Sequence, residues 1–168
     1  MKNSRALFVF FASYVLSIVL ANVATNSIGL MTAFGLTFTA GTIPAGLALI
    51  LRDGLQERSN TRAVLLAIVL GAALSFVTSS PGLALASGLA FLASEFVDLA
   101  VFIPVRAYSL PGAVIASSIV AAPVDTLLFL HLAGFPITFT TVSGQFIMKS
   151  LLALFVAFGI KCFISREA

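Results

Sequence analysis

The residues able to do chemistry are few and widely separated. They are Asp53 and Glu57, Glu95 and Asp98, Asp125 and Lys149, with Asn22, Arg52 and Gln145 as polar companions. Acids three or four residues apart share a helical face, as do Gln145 with Lys149 and Asn22 with Asn26. Ser118 and Asp125, seven apart, also fall on one face. Such faces can accept hydrogen bonds from a ligand, pair with a cation or carry a proton. They do not make an enzyme: there is no Gly-rich phosphate loop, no nucleophile-elbow serine and no pair of histidines. Asp98 and Asp125 lack the GxGD-like context of an intramembrane aspartyl protease. Cys162, the single cysteine, can form no internal disulfide, and no Cys/His cluster calls for a metal. The expectation is a binding site without metal or cofactor.

The elements that must position these groups are membrane helices. Of 168 residues, 60% are hydrophobic and 9% charged, against about 25% charge in an ordinary soluble domain. A soluble fold is excluded, and the lipid bilayer is the expected surrounding. Six windows can each cross a bilayer: residues 6–23, 38–56, 62–78, 83–104, 112–132 and 144–164. They are separated by turn-forming clusters, among them Asn22–Asn26, Ser79–Gly82 and Gly134–Pro136. The reading is an all-α integral membrane protein of six transmembrane helices in one domain, residues 1–168. Lys2 and Arg5 ahead of the first run resemble a signal peptide, but the run is long for one and is retained as a span.

Cations set the orientation. Lys2, Arg5, Arg52, Arg58, Arg62, Arg106, Lys161 and Arg166 fall on one side under alternation, and the ninth, Lys149, lies within the last window. By the positive-inside rule both termini are cytoplasmic. The net charge of +3 is thus a matter of topology, and nucleic acid is not an expected partner.

A charge near the bilayer centre costs at least a few kcal/mol, so ionisable groups there are functional candidates. At 1.5 Å per residue, Glu95 lies about 18 Å into the fourth span and Asp98 about 4–5 Å deeper. Asp125 and Lys149 lie about 10 and 8 Å from the outer ends of neighbouring spans, a depth match that predicts an ion pair. Glu95 has no cation at its own depth, since Arg106 on its face is about 16 Å away. It is therefore expected to keep a proton or await a ligand. Arg52, Asp53, Glu57 and Arg58 read equally well as a solvated cytoplasmic helix end or as a gate or coupling site. His131 falls at the outer edge as a surface residue. Most of the 16 Phe are assigned to lipid and core.

Four segments, Leu51–Glu57, Ser94–Arg106, Pro123–Leu130 and Gly144–Leu152, resemble the queuosine precursor transporter family, also called the vitamin uptake transporter family. The matched features are Asp53 and Glu57 closing the second helix, the acidic pair Glu95 and Asp98, Asp125-Thr126-Leu127, and Lys149 early in the last helix. The chain departs from the family where Arg58-Ser59 follows Glu57 in place of Tyr-Gly, and where Ala121-Ala122-Pro123 precedes Asp125. The resemblance implies import of 7-cyano-7-deazaguanine or a related 7-deazapurine across the inner (plasma) membrane. Glu95 or Asp125 would accept the N1–H and amine edge of the base. Asp98, Gln145, Asn22 and Lys149 would line the site, with Phe91, Phe96 or Phe102 stacking. Two other readings compete: a substrate-capturing module that needs an energy-coupling partner, and a holin-like membrane-lesion protein, which needs no acids at mid-membrane depth. A homo-oligomer is compatible with all three.

Overall fold

In the computed structural model, residues 4–167 are described, with side chains through residue 155 apart from 4 and 153. The expectations for Lys2, Lys161, Cys162 and Arg166 lie outside the described side chains. The chain runs α1 (Ser4–Ile28), β1 (Leu30–Ala33), β2 (Leu36–Thr39), α2 (Thr42–Arg58), α3 (Thr61–Thr78), α4 (Pro81–Arg106), α5 (Leu110–Leu132) and α6 (Phe139–Glu167). Capping chemistry sets three of the starts. Asn60, Ser80 and Ser109 accept from the backbone N–H of Ala63, Leu83 and Gly112, each satisfying a donor that a helix start would leave bare.

Among the described residues, α1, α3, α4 and α5 are long and apolar enough to cross a membrane. The other two helices carry much of the buried polarity: Arg52 and Asp53 on α2, Gln145 and Lys149 on α6. Helix ends gather alternately at two poles. At one pole Arg58 lies over the Phe10 ring, 4.2 Å from its centroid, and Arg106 pairs with Glu57. These contacts bring together the start of α1 and the ends of α2 and α4. Arg5, Arg58, Arg62 and Arg106 are exposed there.

Two expectations are corrected. The second window does not begin at 38, because residues 30–39 form an antiparallel hairpin with Leu30 opposite Thr39 and Ala33 opposite Leu36. Its two-residue loop, Phe34-Gly35, has positive φ at both positions, 53° and 74°, the geometry of the type I′ turn that suits strand twist. The fold is therefore helical with one short sheet. In addition, Asn22–Asn26 does not break α1. The Asn22 amide instead donates to Ser75 Oγ at 3.0 Å and Ser87 Oγ at 3.2 Å, pinning α1 to α3 and α4.

The hairpin is seated by glycines. A Cβ on Gly144 of α6 would stand 2.3 Å from the Thr37 carbonyl, and one on Gly41 would stand 2.1 Å from the Ala21 carbonyl. Backbone contacts that close cannot yield by a rotamer change. Gly144→Ala is expected to destabilise the fold by about 1–3 kcal/mol, whereas Gly82→Ala, with open space around it, is expected to be neutral. Thermal unfolding in detergent checks this, and equal melting of the two variants would contradict the close approach.

Candidate functional site

Polar side chains that the sequence scatters along the chain converge in the interior at two adjacent places. The first is a cavity between α1, the start of α2, α4, α5 and α6. It is lined by Asn22, Thr25, Thr39, Thr42, Ser87, Phe91, Asp125, Phe129, Gln145 and Lys149, and totals about 300 Å³ of non-atom space. The free room at its centre is little more than a water molecule requires.

The lining follows helical spacing. Ser87 and Phe91 on α4, Asp125 and Phe129 on α5, and Gln145 and Lys149 on α6 are each i, i+4 pairs on a single stripe. Lys149 Nζ donates to Asp125 Oδ2 at 2.5 Å and to Thr126 Oγ1 at 3.0 Å. The depth-matched ion pair is thus present, and it engages Asp125 through Oδ2. Gln145 is almost wholly buried, yet its Nε2 has no hydrogen-bond partner. A buried amide donor left unsatisfied costs about 1–3 kcal/mol, so something polar belongs opposite it.

The second place is an ionic cluster one helical turn further along α4, centred on Arg52. Its Nε donates to Glu95 Oε2 at 2.5 Å and its Nη2 to Glu95 Oε1 at 2.6 Å, a bidentate fork. Nη1 donates to Asp53 Oδ1 at 2.7 Å and also meets Asp98. The guanidinium lies 5.6 Å from the centroid of the Phe102 ring, which favours a cation over its face. All four charged side chains are buried, Arg52 to within 1% of full enclosure.

This corrects the sequence reading in three respects. Glu95 is not without a local cation, because Arg52 reaches it from a helix 43 residues away. Arg52 and Asp53 are not a solvated helix end, and Arg52 leaves the interfacial set of cations; only Glu57, paired with Arg106, stays near the surface. Phe96 is 65% exposed and faces away from both places, while Phe102 serves the cluster. Asn22, Phe91, Asp125, Gln145 and Lys149 do share the cavity, whereas Glu95 and Asp98 lie outside its lining. His131 is exposed, as expected.

The sequence reading missed Phe129, Thr25, Thr39, Thr42 and Ser87. Phe129 was findable, being four residues after Asp125 on the same face. The Thr39 and Thr42 hydroxyls, 3.1 Å apart, were not, because the hairpin that brings them in was not foreseen.

A family model described as "Putative vitamin uptake transporter" matches residues 2–162. The chain belongs to this family. No curated protein and no solved structure gives a significant match. Membership in a transporter family together with four apolar membrane-length helices makes this a multi-pass membrane protein of the vitamin-uptake transporter type.

Removing one partner from a buried ion pair leaves an uncompensated charge, at a cost of about 3–5 kcal/mol. Arg52→Met is therefore expected to abolish most folded protein in the membrane. Combining it with Glu95→Gln, Asp53→Asn and Asp98→Asn, which removes all four charges of the cluster, is expected to restore part of it. Fluorescence-detected size exclusion reads both, and a fully folded Arg52→Met single variant would count against the cluster as described.

Proposed function

We propose that this chain imports a 7-deazapurine, a queuosine precursor such as 7-cyano-7-deazaguanine, through six membrane spans with both termini in the cytoplasm of an inner (plasma) membrane. The observation that carries the reading is the cavity, where an acceptor, Asp125 Oδ1, and a donor without a partner, Gln145 Nε2, stand among two phenylalanines. A deazaguanine offers the complement. Its N1–H and exocyclic amine donate to a carboxylate, its carbonyl accepts from an amide or ammonium, and its flat ring stacks between Phe91 and Phe129. Asp125 takes the two-donor edge, with Lys149 holding it ionised, and Gln145 serves the carbonyl. Asn22 closes the site from α1. Glu95, formerly an equal candidate for that edge, is spent on Arg52, and Asp98 goes with it.

The cavity is contracted, so a bicyclic base enters only as the lining separates. Thr25 also borders a second, more open depression near the hairpin, with Asn26, Ser80 and Leu132, which gives the outer approach. Arg52, Asp53 and Glu57 then lie toward the cytoplasmic side, where they serve as gate or coupling groups.

A second reading, a substrate-capturing module that docks on an energy-coupling partner, is favoured by one observation. The lipid-facing side of α3 and α4 has a groove floored by Ala72, Ala73, Ala84 and Gly88, small residues of the kind that admit a neighbouring helix closely. Uptake by the chain alone in proteoliposomes separates the two readings. No partner is needed in the first, nor is an oligomer beyond the single chain.

The test is to supply 7-deazaguanines to cells that neither make nor import them, express this chain and measure queuosine in tRNA. Recovery is expected with at least one precursor. Asp125→Asn and Gln145→Leu are expected to lose roughly tenfold or more of the uptake rate, as the removal of a hydrogen bond worth about 1.5–3 kcal/mol implies. Recovery with neither precursor, or full uptake by both variants, would reject the assignment.

A further inference from the structure

The two buried places differ in one respect that the transport reading leaves unused. In the cavity the charges cancel, Lys149 against Asp125. In the cluster they do not. A single guanidinium, which does not give up its proton, faces Asp53, Glu95 and Asp98. Fully ionised, these four carry a formal charge of −2, inside a helix bundle and away from water. An interior charge without a counterpart is among the costliest arrangements a membrane protein can hold. Something positive must therefore accompany the cluster.

The pattern of bonds locates it. Glu95 engages Arg52 through both oxygens and is the ionised partner. Asp53 Oδ1 and Asp98 Oδ2 compete for the one remaining nitrogen, Nη1, while Asp53 Oδ2 is buried without a hydrogen-bond partner. An independent group points to the same spot from another helix. Ser117 of α5 is completely buried beside Asp98, and its Oγ finds no partner other than that carboxylate. A hydroxyl facing one acid and a buried, unpartnered oxygen on the other are groups that a carboxylic O–H would satisfy.

We propose that Asp53 and Asp98, gathered around Arg52 and faced by Ser117, form a proton-binding site that drives uptake through the neighbouring cavity. Binding converts one carboxylate of the pair to a carboxylic acid and release reverses it; no other bond changes. The groups facing the pair are Arg52 on α2, Glu95 on α4, Tyr14 on α1 and Ser117 on α5. The buried Tyr14 is also within electrostatic reach of Asp125, which Lys149 pairs. One turn past Asp53, Glu57 pairs with the half-exposed Arg106. Phe91 of the cavity and Glu95 of the cluster are one turn apart on α4, about 6 Å, close enough for the state of one to be felt by the other.

The coupling rests on the transport reading, but the proton site itself does not, and two measurements keep them apart. Infrared difference spectroscopy of the purified protein in lipid nanodiscs is expected to show a carboxylic-acid C=O band near neutral pH. That band is expected to lose intensity in Asp98→Asn or Asp53→Asn, variants that mimic the protonated form and so fold, and to persist in Asp125→Asn. In proteoliposomes, an outside-acid gradient of one pH unit is expected to raise accumulation of 7-cyano-7-deazaguanine up to about tenfold over uptake without a gradient, for one proton per substrate. In Asp98→Asn that ratio is expected to fall to about one. Absence of the band in the wild type, a band unaffected by either variant, or accumulation that follows sodium in place of pH would overturn the proposal. A chain that takes up neither precursor yet shows the band and loses it in Asp98→Asn keeps the proton site and rejects the substrate.

Discussion

The structure turns on a guanidinium placed where water does not reach. Arg52 is buried on α2, a helix of 17 residues that carries four charged side chains, and its charge is tolerable only because α4 brings Glu95 and Asp98 to meet it. The fork to Glu95 fixes orientation as well as charge, since a bidentate pair satisfies both oxygens in one plane. Phe102 supplies the ring face beneath. α2 and α4 are thereby held in one register, and every element that packs on either inherits it.

From that register the cavity follows. The stripe of α4 that carries Glu95 and Asp98 continues, one and two turns back, as Phe91 and Ser87, so positioning the cluster positions one wall of the cavity. Gly46 on α2 lets α6 approach closely, since a Cβ there would stand 2.8 Å from Leu152 and 3.4 Å from the Lys149 Cα. That contact brings Lys149 within reach of Asp125. The Asn22 amide ties α1 to α3 and α4, and the hairpin delivers Thr39 from above. Two polar places thus sit on one scaffold, one a small cavity with its charges paired, the other a closed cluster with more carboxylates than cations.

The helices were legible from sequence because bilayer thickness and polar punctuation leave little freedom, and the six apolar windows fall within a few residues of α1 to α6. The Asp125–Lys149 pair was legible for a related reason: neighbouring helices with matched depths must meet. The partner of the buried Glu95 was not, because Arg52 lies 43 residues away on a helix that is not its neighbour in sequence, and depth alone assigned it to the cytoplasmic interface. Counting it among the topogenic cations hid its role. The hairpin was missed because its Gly and Asn neighbours read as generic breakers, although positive φ at Phe34-Gly35 is a specific turn. Phe129 lay in plain view at i+4 from Asp125 and was overlooked among many phenylalanines.

The contracted cavity shows which parts can move. A base cannot enter a space sized for a water molecule unless a wall retreats, and the walls are not equally free. α2 and α4 cannot part at the cluster without stripping Arg52 of its carboxylates, so any separation of that pair is confined to the half of the molecule near the hairpin. α5 and α6 are joined near the cavity by the Lys149 contacts to Asp125 and Thr126, and Pro123 within α5 removes one backbone hydrogen bond a half-turn before Asp125, a place where a helix bends at low cost. The hairpin side is thus the side on which the cavity can widen while the Arg52 cluster stays shut. At the opposite pole the Arg52 contacts to Glu95, Asp53 and Asp98 hold α2 and α4 together.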